Sequence, residues 1–199
     1  MRESGVGRVL VASLHQAISD VLPGRLLFYE SWLTAEGLRD GTIGLAPLYA
    51  VLSFLRQEGA AYGLVTAKAG EYAAEWTVAS MPPFRRRWTQ WLPKRLRRRM
   101  LLRRASALIH ASFVGNSASW RMRKGAARVL VKASVFCEVR EPVDHPLCLF
   151  YSAVFERMAL LFAQPASVSI SSCRAVGHET CELRVLFGTG EMASEAGDA

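Results

Sequence analysis

Four cysteines, Cys137, Cys148, Cys173 and Cys181, all fall in the last third of this 199-residue chain, and none occurs in the first 136 residues. Cys173 and Cys181 flank the segment Arg-Ala-Val-Gly-His-Glu-Thr, whose Gly177 reads as the turn of a β-hairpin. Cys148 stands where an apolar helix begins. Thiolates hold zinc with each sulfur about 2.3 Å from the ion, and a helix start plus a hairpin can bring three together. A helix N-terminus also favours the thiolate form. The spacing is not a paired CxxC knuckle, so the same residues also read as small buried cysteines of a core. His178 in the turn, and Asp144 with His145 in the loop between Pro142 and Pro146, read as ligand or lid candidates, or as solvated turn and linker.

The elements that must position these residues follow from apolar periodicity. Helices are expected over 8–21, from Pro47 through Leu55, over 60–80, over 94–112 and over 147–162. Residues 25–33 are expected to be extended and 37–44 to be a loop. Two hairpins are expected: strands 116–124 and 126–138 joined at Gly125, and strands 167–174 and 181–187 across Gly177. The order helices, hairpin, helix, hairpin gives an α+β fold, a small antiparallel sheet of two hairpins on a helical layer. Residues 1–188 are expected to form one domain, with a motif core at 130–187, and 189–199 an acidic disordered tail.

Composition narrows the class. Hydrophobic residues make up 51% and charged residues 21%, which supports a packed core. No apolar run reaches the length of a bilayer span, and the start lacks the apolar core of a signal peptide. The expected location is the cytoplasm, where thiols stay reduced, with peripheral association at the inner membrane as an extension of that reading.

The net charge of +8 is concentrated: no acidic residue lies between Glu75 and Glu138, a window with 15 of the 25 Lys and Arg. Its densest part carries Arg85, Arg86, Arg87, Arg95, Arg97, Arg98, Arg99, Arg103 and Arg104, interleaved with Phe84, Trp88, Trp91, Leu92 and Leu96. This pattern predicts an anionic partner, either a membrane surface or an acidic protein. Nucleic acid is disfavoured, because no helix with a base-contacting polar face follows. The bland alternative is a solvated helix face whose arginine stems cover apolar surface.

Ser134-x-Phe136, the Cys148-x-Phe150-Tyr151 helix start and Cys173-x3-Gly177-x3-Cys181 before an apolar strand resemble the 4-vinyl reductase domain family. That family is similar in fold to vesicle-tethering TRAPP subunits and includes sensor domains of phenol-responsive bacterial activators. The resemblance implies a TRAPP-like fold and a hydrophobic small-molecule pocket between helices and sheet. The aromatics expected to line it are Tyr62, Tyr72, Trp76, Phe136, Phe150 and Tyr151. In the phenol sensors it implies zinc on three cysteines and a glutamate, and the cysteines fall on Cys148, Cys173 and Cys181. The glutamate, expected three residues before Cys173, is Ile170 here, so Cys137, Glu138 or His178 must supply the fourth ligand, with Cys137 preferred.

The sequence contains no Gly-rich phosphate loop, nucleophile elbow, spaced carboxylate pair or nucleotide-cofactor fingerprint. That weighs against a self-sufficient reductase and leaves the question of an enzyme open. The leading expectation is a hydrophobic or aromatic small-molecule binding domain, zinc-containing, acting as sensor or carrier. The resemblance also implies a bacteriochlorophyll or chlorophyllide 4-vinyl reductase, or an accessory protein in that tetrapyrrole pathway. A third reading is a membrane-docked tethering or assembly protein, with a homodimer as one candidate assembly.

Overall fold

The computed structural model describes residues 6–34, 36–37 and 43–188, without the side chains of Arg85, Arg86, Trp88 and Gln90. Most of the expected 37–44 loop and the 189–199 tail therefore lie outside the described residues. The first helix, α1 (Arg8–Val21), buries Leu10, Val11, Leu14, Ala17 and Ile18, the stripe its sequence dictates. The 25–33 segment is helical, not extended: a 3-10 turn over Pro23–Arg25 leads into α2 (Leu26–Glu30). Its two buried side chains, Tyr29 and Leu33, are four residues apart, a helical spacing that an alternating strand does not produce.

Helix α3 (Leu45–Gln57) carries Pro47 in its first turn, where no backbone donor is needed, and ends before Gly59 at φ +60. Helix α4 (Ala60–Ala79) follows at once and packs against α1 on one side. On the other side it meets α7 (Leu149–Leu161). Here the run of small residues is decisive, because a Cβ on Gly70 would lie 2.3 Å from the Phe150 carbonyl oxygen. Helix α5 (Pro83–Trp91) and helix α6 (Lys94–Ser112) meet at Leu92-Pro93. The buried side of α6 carries Leu101, Leu102, Ala105, Leu108 and Ile109.

Four strands, β1 (Ser117–Arg123), β2 (Ala126–Lys132), β3 (Ala166–Ser172) and β4 (Cys181–Phe187), form one antiparallel sheet in the order β1-β2-β4-β3. The two expected hairpins are thus joined through β2 and β4, with Val131 opposite Cys181. The first turn is Lys124-Gly125, both with positive φ (45 and 82), the left-handed pair that a two-residue hairpin of native twist requires. Strand β2 stops at Lys132, short of the expected residue 138: Ala133 takes φ +53 and Val135–Cys137 closes a 3-10 turn. Ala127, Val129 and Val131 on β2, with Cys181, Leu183, Val185 and Phe187 on β4, supply the buried face of the sheet. The α+β class stands as the sequence implies. No described helix is long and apolar enough to cross a membrane.

Candidate metal centre and adjoining cavity

Each cysteine is placed by a different local device. Cys137 ends the 3-10 turn, and its backbone N–H donates to the Ser134 carbonyl at 3.1 Å. Cys148 is the N-cap residue of α7, and its carbonyl accepts from the Tyr151 N–H at 3.1 Å. Cys173 follows β3, where its carbonyl accepts from the N–H groups of Val176 and His178 across the turn. Gly177 at φ +98 lets that turn close. Cys181 opens β4 and is fixed in register against β2.

The four sulfurs all lie within 4.8 Å of one another, and all four residues are buried. Cys137 Sγ is 3.4 Å from Cys173 Sγ and 3.5 Å from Cys181 Sγ. A tetrahedral zinc with sulfurs at about 2.3 Å requires sulfur–sulfur edges of roughly 3.8 Å, so the donor set and its spacing fit that ion. Soft thiolates in a four-sulfur set select zinc over hard cations. The thiols are free of disulfides.

Hydrogen bonds among the sulfurs split their acidities. The Cys148 thiol is pushed up by its contacts with Cys137, Cys173 and Cys181, which hold its proton in place. The Cys173 thiol is pulled down by hydrogen bonds from Cys137, Cys148 and Cys181, with the Leu147 backbone adding to them. Cys181 is also lowered, by Cys137 and Cys148 first, and its sulfur accepts the Arg174 N–H at 3.4 Å. A cluster that stabilises thiolate on some sulfurs while the others keep protons is one that a divalent cation can take over, releasing those protons on binding.

Of the alternatives for the fourth ligand, Glu138 turns away to pair with Arg174 at 2.9 Å, and His178 is exposed on the hairpin turn. Ile170 sits on β3 opposite Leu183, packed at the edge of the core.

Beside the cysteines lies a cavity of about 450 Å³ lined by Arg56, Tyr62, Gly63, Val143, His145, Leu147 and Leu149, with Gly59 and Ala60 at its rim. Tyr62 links the two features. Its buried hydroxyl lies 3.3 Å from the carbonyl oxygens of both Phe136 and Leu147, the residues immediately before Cys137 and Cys148. Burial pushes its phenol well above the ordinary tyrosine value. Arg56 donates to the Phe136 carbonyl at 3.2 Å, and its Nε is buried without a hydrogen-bond partner among the described residues.

The expected pocket aromatics separate in space. Tyr62 lines the cavity. Phe136, Phe150 and Tyr151 are fully buried and pack on one another, with ring centroids 4.8 to 5.6 Å apart, behind it. Tyr72 and Trp76 stack at 5.7 Å on the outer side of α4, where the Tyr72 hydroxyl donates to Asp20. Sequence reasoning misses Arg56, and only one signal marks it: it is the single charged residue of α3. A basic residue in the last turn is also what the helix dipole favours, which hides a binding role behind a structural one. His145, by contrast, is a candidate from its loop alone and does reach the cavity.

The arginines also divide. Arg98 turns inward, donating to Gln164 at 3.0 Å and lying 4.9 Å above the Phe187 ring, and Arg97 donates to the Leu92 carbonyl at 3.1 Å. Arg87, Arg95, Arg99 and Arg103 are exposed, and Arg104 is half-buried. The side chains of Arg85 and Arg86 lie outside the described residues.

Residues 128–187 match the model of the 4-vinyl reductase domain, so the segment that carries the resemblance, 130–187, is the segment the family model covers. No curated protein matches the chain. The H-NOX domain from Shewanella oneidensis, solved by NMR in an Fe(II)CO ligation state, is similar in fold. It has 11% identity and a TM-score of 0.54, over 92% of this chain and 99% of that one. A trafficking protein particle complex subunit 3 from Naegleria fowleri, covalently bound to palmitic acid, is 13% identical over 89% of this chain and 96% of that one, at a TM-score of 0.46.

Proposed function

We propose that the chain is a small-molecule sensor or carrier domain, in which a zinc ion on Cys137, Cys148, Cys173 and Cys181 holds the wall of a mainly apolar cavity. The observation that carries this reading is the convergence of four buried sulfurs directly behind that cavity. The 4-vinyl reductase domain match over 128–187 supports it, since that segment supplies all four cysteines. A closed four-sulfur set leaves no open position on the ion, so zinc here supplies a cross-link rather than a catalytic water. That cross-link ties the 3-10 turn, the start of α7 and the β3–β4 hairpin to each other, three pieces separated by up to 44 residues in sequence.

The cavity chooses the class of ligand. Val143, Leu147 and Leu149 offer apolar walls, while Arg56 and His145 offer polar groups at one side. A small aromatic or aliphatic molecule with one acceptor or anionic group satisfies both, and such a group would meet the unpaired Arg56 Nε.

The test is elemental analysis of freshly purified protein together with mass spectrometry of molecules extracted under denaturing conditions. The expected result is near-stoichiometric zinc, lost in the Cys173→Ser, Cys181→Ser variant, and an apolar extract of cavity size. Absence of zinc from protein purified without chelator, with cysteines fully reactive to thiol reagents in the folded state, overturns the metal reading. An empty extract, together with no thermal shift from any of a panel of simple phenols and aryl carboxylates, overturns the ligand reading.

A further inference from the structure

Well before the cysteines along the chain, helix α5 leaves its two outermost aromatics in solvent. Phe84 is 70% and Trp91 82% exposed. They lie seven residues apart, on one face of the helix, while Thr89 on the opposite face is buried. The next helix continues the pattern. Arg95, Leu96, Arg99 and Arg103 fall in one stripe of α6, turned away from its buried residues, and Leu96 is 49% exposed.

Surface arginines usually find carboxylates, and these find none among the described residues. No ion pair there uses Arg87, Arg95, Arg99 or Arg103, and no acidic residue exists in the sequence between Glu75 and Glu138 to supply one nearby along the chain. Where α6 meets the β1–β2 turn, Arg95, Arg98, Arg99 and Lys124 line a hollow of about 240 Å³. Four cations around one hollow repel one another unless an anion lies between them.

We propose that the α5–α6 elbow docks on an anionic phospholipid surface. Trp91, Phe84 and Leu96 enter the headgroup layer, and Arg95, Arg99 and Arg103 meet lipid phosphates. Charge alone would serve any polyanion, but the exposed apolar side chains distinguish a lipid surface. They project singly among arginines, and a fluid interface accepts such projections without a matching rigid pocket. Arg98, committed to Gln164 and Phe187, belongs to the fold rather than to this face. The inference is independent of what the cavity holds.

The experiment is flotation of the full chain with vesicles of phosphatidylglycerol and phosphatidylcholine in equal parts, against vesicles of phosphatidylcholine alone. Flotation is expected with the anionic vesicles, falling steeply as salt rises. The triple variant Arg95→Glu, Arg99→Glu, Arg103→Glu is expected to bind about tenfold more weakly or worse, as charge at the surface reverses. Phe84→Ser with Trp91→Ser is expected to weaken binding while leaving its salt dependence in place. Circular dichroism melting confirms that each variant folds, and the milder triple Gln variant replaces any that does not. Equal flotation with both vesicle types, or flotation indifferent to the arginine variants, overturns the proposal. So does retention of single-stranded RNA or of an acidic protein with no flotation, which reassigns the surface to that partner.

Discussion

The Tyr62 hydroxyl stands 3.3 Å from the Leu147 carbonyl oxygen, joining residues 85 positions apart at the wall between cavity and cysteines. Leu147 lines the cavity, and the next residue, Cys148, contributes a sulfur to the cluster. Any displacement of Tyr62 by a cavity occupant therefore acts on the peptide that carries a cysteine.

Tyr62→Phe removes that donor and leaves two buried carbonyls with weaker partners. The expected loss is about 1 kcal/mol of stability, seen as a lowered denaturant midpoint at unchanged slope. Metal is expected to exchange faster in this variant than in the parent, measured by transfer to a chromogenic chelator. Exchange at the parental rate would show that the hydroxyl stabilises the fold without steadying the cluster.

Gly70→Ala places a methyl group against the backbone of α7, where the Phe150 carbonyl oxygen is 2.3 Å from the ideal Cβ position. The helices must separate to accept it, and overpacking of this kind costs about 1–3 kcal/mol. Helix propensity works in the opposite direction by about 1 kcal/mol. A thermal melt that shows net stabilisation would mean that α4 and α7 can shift apart without loss.

Buried phenols give a sign to the alkaline limb of the stability curve. Burial pushes Tyr62 and Tyr151 well above the ordinary value, and it raises Tyr29, beside Glu58, to about 12. Each group stays protonated in the folded chain where the unfolded chain has lost its proton, so folding stability is complete below pH about 10 and declines above it. The slope should reach about 1.4 kcal/mol per pH unit for each tyrosine involved. Urea unfolding between about pH 9 and 11, with tyrosinate absorbance followed in parallel, checks it.

Removal of the metal should loosen the molecule around the tetrad. A strong chelator, or Cys173→Ser, is expected to lower the melting temperature and to expose the thiols to reagent. Hydrogen exchange should accelerate first in the 3-10 turn over Val135–Cys137 and in the β3–β4 turn, since both are held by short local bonds alone. Uniform protection before and after chelation would separate the cysteines from the stability of those turns.

Two arginines of one helix should behave oppositely. Arg98→Ala loses the Gln164 hydrogen bond and the Phe187 stacking, an expected cost of about 1–2 kcal/mol. Arg95→Ala touches neither and should stay within about 0.5 kcal/mol of the parent. Paired chemical denaturation curves decide the matter.

Much of this molecule is legible along the chain because the deciding forces are local. Apolar periodicity marks α1, α3, α4, α6 and α7, since a helix must bury one stripe whatever it packs against. Gly125 and Gly177 mark the two hairpins, because positive φ is cheap for glycine. The preference for Cys137 as a fourth sulfur rests on its place before the Cys148 loop, and that sulfur does join the cluster.

Tertiary structure decided what depends on neighbours far away in sequence. Residues 25–33 are aromatic enough for a strand, yet they are helical because Tyr29 and Leu33 must reach one side together. Of the six aromatics expected around a pocket, only packing could send Phe136, Phe150 and Tyr151 into the core, Tyr72 and Trp76 to the outer side of α4, and Tyr62 to the cavity. Arg56 owes its place at that cavity to α3 lying across the turn that carries Phe136. The sequence by itself determined four cysteines, a basic stretch without acids and an alternation of helices and hairpins. The sheet order β1-β2-β4-β3 brought the sulfurs within 4.8 Å, because sulfurs meet only where the chain that carries them has already been paired and packed.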